Sequence, residues 1–208
     1  MTSTLTNSST TPRFALAKAQ QQLATRPFSF TLTSKDSSDV ALRVVIEPLG
    51  ESLLTGQTVA SFRRTVATIR SGKEMSRNSS VAHIELSTHR FAGLDVTGLR
   101  STVRNAVPLP VVARVGDSGH YFDNTTAIQA NSSASIPSAT MTWSLDPWEN
   151  GLALWCIHIK PAGGGGVETA ECYAITESGD IVGAALRAWP EQKIGQVTRR
   201  MVELRTLP

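Results

Sequence analysis

Apolar and polar residues alternate with a period of two along much of this chain. Phe28, Phe30 and Leu32 alternate with Ser29, Thr31 and Thr33, and Val40, Leu42, Val44 and Ile46 alternate with Ala41, Arg43 and Val45. Residues two apart share one face of a strand, so the pattern predicts two strands. Residues 35–39 supply turn chemistry between them, and Pro48-Leu49-Gly50 is expected to end the second. Eight further runs of β-branched and apolar residues predict strands over 81–86, 99–103, 111–115, 139–145, 152–159, 167–175, 181–186 and 197–204. Two stretches read as helices instead. Thr11 as N-cap and Pro12 at the first helical position open a run of strong helix formers over 13–24. Its apolar side (Phe14, Leu16, Ala17, Leu23) is weak, as in a segment that orders only on a partner. Over 55–70, Val59, Phe62, Val66 and Ile69 recur at helical spacing, with Gly72 placed as a C-terminal cap.

Ten strands with one or two helices exclude a βαβ architecture, which needs a helix between most strands, and point to a mainly β sandwich or barrel. In a chain of 208 residues no stretch reads as a linker between two cores, so a single domain is expected. Apolar residues make up 40% and charged residues 18%; the remaining polarity comes from Ser, Thr and Asn, as suits half-buried strands and polar turns. No run reaches the ~18 apolar residues of a spanning helix, so no membrane is expected. Met1 to Thr11 has no cationic region followed by an apolar one, which argues against a secretory leader. Without a leader, the Asn-x-Ser/Thr triplets at Asn7, Asn78, Asn124 and Asn131 read as ordinary loop composition. The net charge is +3, and its placement matters more than its size. Arg13, Lys18 and Arg26 lie in an acid-free N-terminal stretch, Arg63, Arg64 and Arg70 on the expected helix, and Arg199 and Arg200 near the C-terminus. Each is a candidate phosphate contact, adding salt-dependent affinity without reading sequence.

Chemistry-bearing motifs are few. Gly116-Asp117-Ser118-Gly119 has the form of the nucleophile turn of trypsin-like proteases. The only earlier histidines, His83 and His89, leave no room for the first barrel that such an enzyme places upstream, and the next residue is His120 rather than Gly. A β-turn between Val115 and Tyr121 explains the same residues. Gly163 to Gly166 is followed by no Lys-Ser/Thr, so it reads as a flexible turn rather than a phosphate cradle. That turn makes a hairpin of 152–159 and 167–175 and sets Cys156 across from Cys172. In a cytosolic protein the pair is expected to stay reduced and to pack as small hydrophobes; with no paired His nearby it is no zinc site. Glu168 and Glu171 fall on opposite faces of their strand and are expected to be solvated. Trp143, Trp148, Trp155 and Trp189 read as core or subunit-contact anchors ahead of base-stacking platforms. No cofactor, metal or catalytic centre is expected.

A polar, acid-free arm leading into one β-rich domain of eight to ten short strands, with a helix after the second strand, resembles the layout of a small plant RNA virus coat protein. The resemblance implies an arm over 1–26 and a jelly-roll-like β-sandwich over 27–208. It implies identical subunits assembling into a shell around single-stranded RNA, in the virion and in the host cytoplasm during assembly. Many such proteins have an arm dense in Arg and Lys, whereas residues 1–26 hold three basic residues, which moves the expected RNA contacts toward Arg63, Arg64, Arg199 and Arg200. Two other readings stand beside it: a non-structural viral RNA-binding protein, such as a movement protein or silencing suppressor, and a small serine hydrolase using Ser118.

Overall fold

A computed structural model describes residues 11–34, 39–96, 99–128, 135–162, 167–189 and 201–206. One helix, α1 (Leu16–Thr25), precedes twelve strands: β1 (Phe28–Thr33), β2 (Val40–Leu54), β3 (Gln57–Arg70), β4 (Lys73–Glu85), β5 (Phe91–Val96), β6 (Leu99–Arg104), β7 (Ser118–Ile128), β8 (Ser135–Pro147), β9 (Ala153–Pro161), β10 (Glu168–Ile175), β11 (Ile181–Trp189) and β12 (Val202–Arg205). Each strand pairs antiparallel with its neighbours in sequence, and β12 returns to β1, with Thr33 opposite Arg205, to close a barrel. The chain is therefore mainly β, as its periodicity predicts. Its meander order differs from the two-sheet, crossed-over arrangement of a jelly roll, because among the described residues no strand pairs outside its chain neighbours except at the seam.

The expected helix over 55–70 is strand β3. Both ends of that stretch are two-residue hairpin turns with positive φ at each position, Thr55-Gly56 (49° and 83°) and Ser71-Gly72 (48° and 77°). Such turns join antiparallel strands, so Gly72 serves a hairpin rather than a helix cap. Between them Thr58, Val59, Thr65, Val66, Thr68 and Ile69 favour extended backbone, and the 59/62/66/69 spacing mixes two faces: Phe62 and Val66 turn into the core while Val59 and Ile69 lie on the other face. Nor does Pro48-Leu49-Gly50 end β2. The register slips there by a bulge and the strand runs on to Leu54. Residues 111–115 form a loop rather than a strand, with Val111 exposed and Ala113 in a single bridge to Phe14. Strands β5 and β7 were hidden. In β7 a bulge between His120 and Phe122 sets Tyr121 and Phe122 both into the core, which breaks the alternation.

Helix α1 starts later than Thr11-Pro12 suggests, because the Phe14–Ala113 bridge holds that backbone extended. It ends where Arg26 takes an extended conformation before Pro27, as the pre-proline residue must. Lys18, Gln21 and Thr25 form its exposed stripe, whereas Leu16, Ala17, Ala19, Gln20, Gln22, Leu23 and Ala24 are buried. This stretch of the expected arm is thus part of the core. It plugs the barrel at the end where β1 begins, held by Gln20 Nε2 donating to the Tyr121 hydroxyl (2.6 Å), Gln22 Nε2 donating to Asp180 (2.8 Å), and Ala15 N–H donating to the Glu177 carbonyl (3.0 Å). Gly179 (φ 82°) lets the β10–β11 turn pass this close; a Cβ there would lie 2.4 Å from the Ala15 oxygen.

The inner faces of the strands and α1 share one core, with Trp143, Trp155, Tyr173, Leu145 and Ile175 among its large members. A second, small core lies on the outer face of β9–β11. There Leu154, Cys156, Ala170, Cys172, Ala174 and Ala185 are covered by Trp148, Leu152 and Trp189. Cys172 is opposite Cys156, as the hairpin predicts, but the two form a disulfide rather than a pair of free thiols. The strand pairing places the two side chains directly opposite each other on one face of the sheet.

Candidate functional site

Above α1 the lumen is incompletely filled. A cavity of about 160 Å³ lies between Leu23 of the helix and the walls formed by Phe62, Ala82, Phe91, Phe122, Met141, Ile157 and Ile159. Three polar side chains enter this apolar space from opposite walls. On β3, Arg64 shares the inward face with Phe62 and Val66; on β10, Glu171 shares it with Tyr173 and Ile175. Arg64 Nε lies 2.6 Å from Glu171 Oε2, and the Tyr173 hydroxyl donates to Glu171 Oε1. Only 24% and 18% of the Arg64 and Glu171 side chains remain accessible, in keeping with their position on the cavity wall.

The electrostatics follow from burial. Burial alone would lower the Arg64 pKa, but the adjoining Glu171, with Tyr173, outweighs it, so the guanidinium stays charged and its pKa moves up. Burial first, and then the Glu171 carboxylate, push Tyr173 well above the ordinary phenol range, so it remains a donor. Tyr121, also on the cavity wall, is pushed up by burial against the opposing hydrogen bond from Gln20. The lumen is therefore an apolar pocket holding one neutralised ion pair and two tyrosine hydroxyls.

The six candidate phosphate contacts among the described residues do not form one surface. Arg64 faces the lumen. Arg63, on the outer face, lies 3.7 Å from Glu47. Lys18 and Arg26 both lie near Asp180, at 3.4 and 4.0 Å. Arg13 and Arg70 are exposed at separate places, and Arg199 and Arg200 lie outside the described residues. Of the two acidic residues expected to be solvated, Glu171 is the lumen carboxylate, while Glu168 lines an outer groove. The four-glycine turn lies outside the described residues.

Ser118 begins β7 and lines that outer groove with Ser144, His158 and Lys160. Ser144 Oγ is 2.9 Å from His158 Nε2, and burial holds the imidazole below its ordinary pKa. The pair resembles a nucleophile and base, yet Ser144 sits mid-strand between Ser118 and Cys156, so ladder pairing occupies the backbone that an oxyanion site would need. A second relay runs from Ser61 through His83 (2.8 Å) to Asp95 (3.0 Å). Here the serine is buried at 4% exposure and the carboxylate side chain is 74% exposed, the reverse of what a nucleophile requires. Among the described residues no cluster of His, Cys, Asp or Glu suits a metal ion, and no helix is long and apolar enough to cross a membrane.

No protein family, no curated protein and no solved structure matches the chain. The lumen is accordingly read from its own chemistry. Periodicity could have flagged Arg64 once 57–70 is taken as a strand, since it then stands between Phe62 and Val66 in an inward row, as Glu171 shares its row with Tyr173 and Ile175 on β10.

Proposed function

We propose that the protein is a binding barrel that holds a small, mostly apolar molecule in its lumen above α1. The cavity of about 160 Å³, apolar but for Arg64, Glu171, Ser80 and the hydroxyls of Tyr121 and Tyr173, carries this reading. An apolar cavity of about 150 Å³ is enough to admit a benzene ring. The test is a titration of the protein with ring-sized aromatic compounds, followed by amide chemical shifts and by melting temperature. Ligand bound only to the folded state raises stability by about 2.7 kcal/mol at a hundred times its dissociation constant. Shifts confined to residues around Leu23, Phe122 and Tyr173, abolished by the cavity-filling Ala82→Leu, support the reading. No shift with any probe, or shifts that survive Ala82→Leu, overturn it.

A second reading, a self-assembling coat subunit enclosing single-stranded RNA, draws on exposed apolar side chains spread over separate elements. Leu53 (76% exposed) lies by the β2–β3 turn, Val111 (75%) in the β6–β7 loop and Val182 (56%) on β11. A shell subunit needs apolar contacts on more than one side. RNA contacts would then fall to Arg13, Arg63 and Arg70, with Arg199 and Arg200. Electron microscopy and the 260/280 nm absorbance ratio of sedimenting material test it: uniform particles with a nucleic-acid spectrum support it, and monomers alone sink it.

A further inference from the structure

We infer that the lumen selects an uncharged ligand bearing one hydrogen-bond acceptor, a ring-sized carbonyl compound, over an ionised acid of the same size. The inference rests on the binding reading above and adds the ligand class. An arginine inside an apolar barrel at first suggests a carboxylate ligand, but the charge count argues otherwise. Glu171 already neutralises Arg64, and its second oxygen is held by the Tyr173 hydroxyl. An incoming carboxylate would leave one net negative charge in a space walled by Phe62, Phe91, Phe122, Met141 and Ile157. That carries a desolvation cost with no remaining partner charge to offset it.

Hydrogen-bond capacity points the same way. The guanidinium offers five N–H donors and Tyr173 one O–H, whereas the cluster's acceptors are the Glu171 carboxylate, already engaged twice, and the Tyr173 oxygen. Arg64 Nε, although 2.6 Å from Glu171 Oε2, is buried without a hydrogen-bond partner, so the unmet group on the wall is a guanidinium N–H. Ser80, on β4 opposite Arg64 in register, lines the cavity beside it. A ketone or amide oxygen on an apolar ring would accept from Arg64 while the ring fills the space above Leu23, and no charge would be added.

Calorimetric titration of the full chain with acetophenone, toluene and benzoate separates the possibilities. Acetophenone is expected to bind about ten-fold more tightly than toluene, the gain of one hydrogen bond to a charged donor, and benzoate least. The double variant Arg64→Met/Glu171→Leu removes the pair without leaving a lone charge, and should keep toluene binding while losing the acetophenone preference. Benzoate binding tightest, or acetophenone no tighter than toluene, overturns the ligand class and leaves the binding barrel standing. If none of the three binds, the binding reading itself fails.

Discussion

Arg64 and Glu171 meet across the barrel: their strands are separated by β2, β1, β12 and β11, yet Arg64 Nε comes within 2.6 Å of Glu171 Oε2. The contact ties opposite walls directly above the helix. An ion pair in such surroundings is costly to break by halves, because the remaining partner keeps its charge without the compensation. Arg64→Met is accordingly expected to lower stability by about 3 kcal/mol or more, whereas Arg64→Met/Glu171→Leu should recover most of the loss. Urea denaturation of both variants checks this; a single variant as stable as the parent would show that the pair is hydrated like a surface salt bridge.

Leu23 separates the helix from the cavity and is 2% exposed. Leu23→Ala should cost about 2–5 kcal/mol and enlarge the lumen. A propyl- or butyl-substituted benzene should then gain affinity relative to toluene. Equal discrimination in variant and parent would place the ligand elsewhere.

Cys156 and Cys172 join β9 to β10 with a sequence separation of 16. Removing a cross-link over a loop of that size typically costs about 3 kcal/mol. The Cys156→Ala/Cys172→Ala variant, or the parent held in reductant, should therefore melt earlier. Thiol labelling of the denatured, unreduced protein should find neither cysteine reactive; labelling of both would return the pair to the reduced state.

Asp180 fixes α1 to the β10–β11 turn. Hydrogen bonds from Ser178 and Gln22, then the charge of Lys18, hold its pKa down to about 2. An unfolded aspartate titrates near ~3.9. The folded value is the lower one, so the stabilisation is fully present above ~4 and is lost as pH falls toward 2. Amide exchange in α1 should rise across that interval in the parent. Asp180→Asn should show the faster exchange already at neutral pH and a flatter acid profile; an unchanged profile would mean that the helix is held by its apolar face alone.

How far the chain could be read in advance depended on whether local pattern and tertiary role agreed. At β1, at the start of β2 and in the β9–β10 hairpin they did, because alternate residues face one core and the turn is short; the Cys156–Cys172 register followed from the hairpin alone. At β3 they conflicted. Inward Phe62 and Val66 and outward Val59 and Ile69 together imitate a helical stripe, since Val59 and Ala67 are buried on the other face as well. The lumen site inherited that conflict: assigned to a helix, Arg64 could only be a surface cation. Helix α1 was seen but placed outside, because its burial depends on long-range contacts, such as Gln20 with Tyr121 and Gln22 with Ile181, that no local spacing reports.

The seam between Thr33 and Arg205 has a consequence for synthesis. As the chain leaves the ribosome, α1 emerges before any strand, whereas its partner groups at Tyr121, Glu177 and Asp180 arrive far later. Until β12 is made, β1 keeps an unpaired edge able to recruit foreign strands. Of the barrel's strands β12 comes last in chain order, so the sheet can enclose α1 and lose its open edge only once β12 has joined β1.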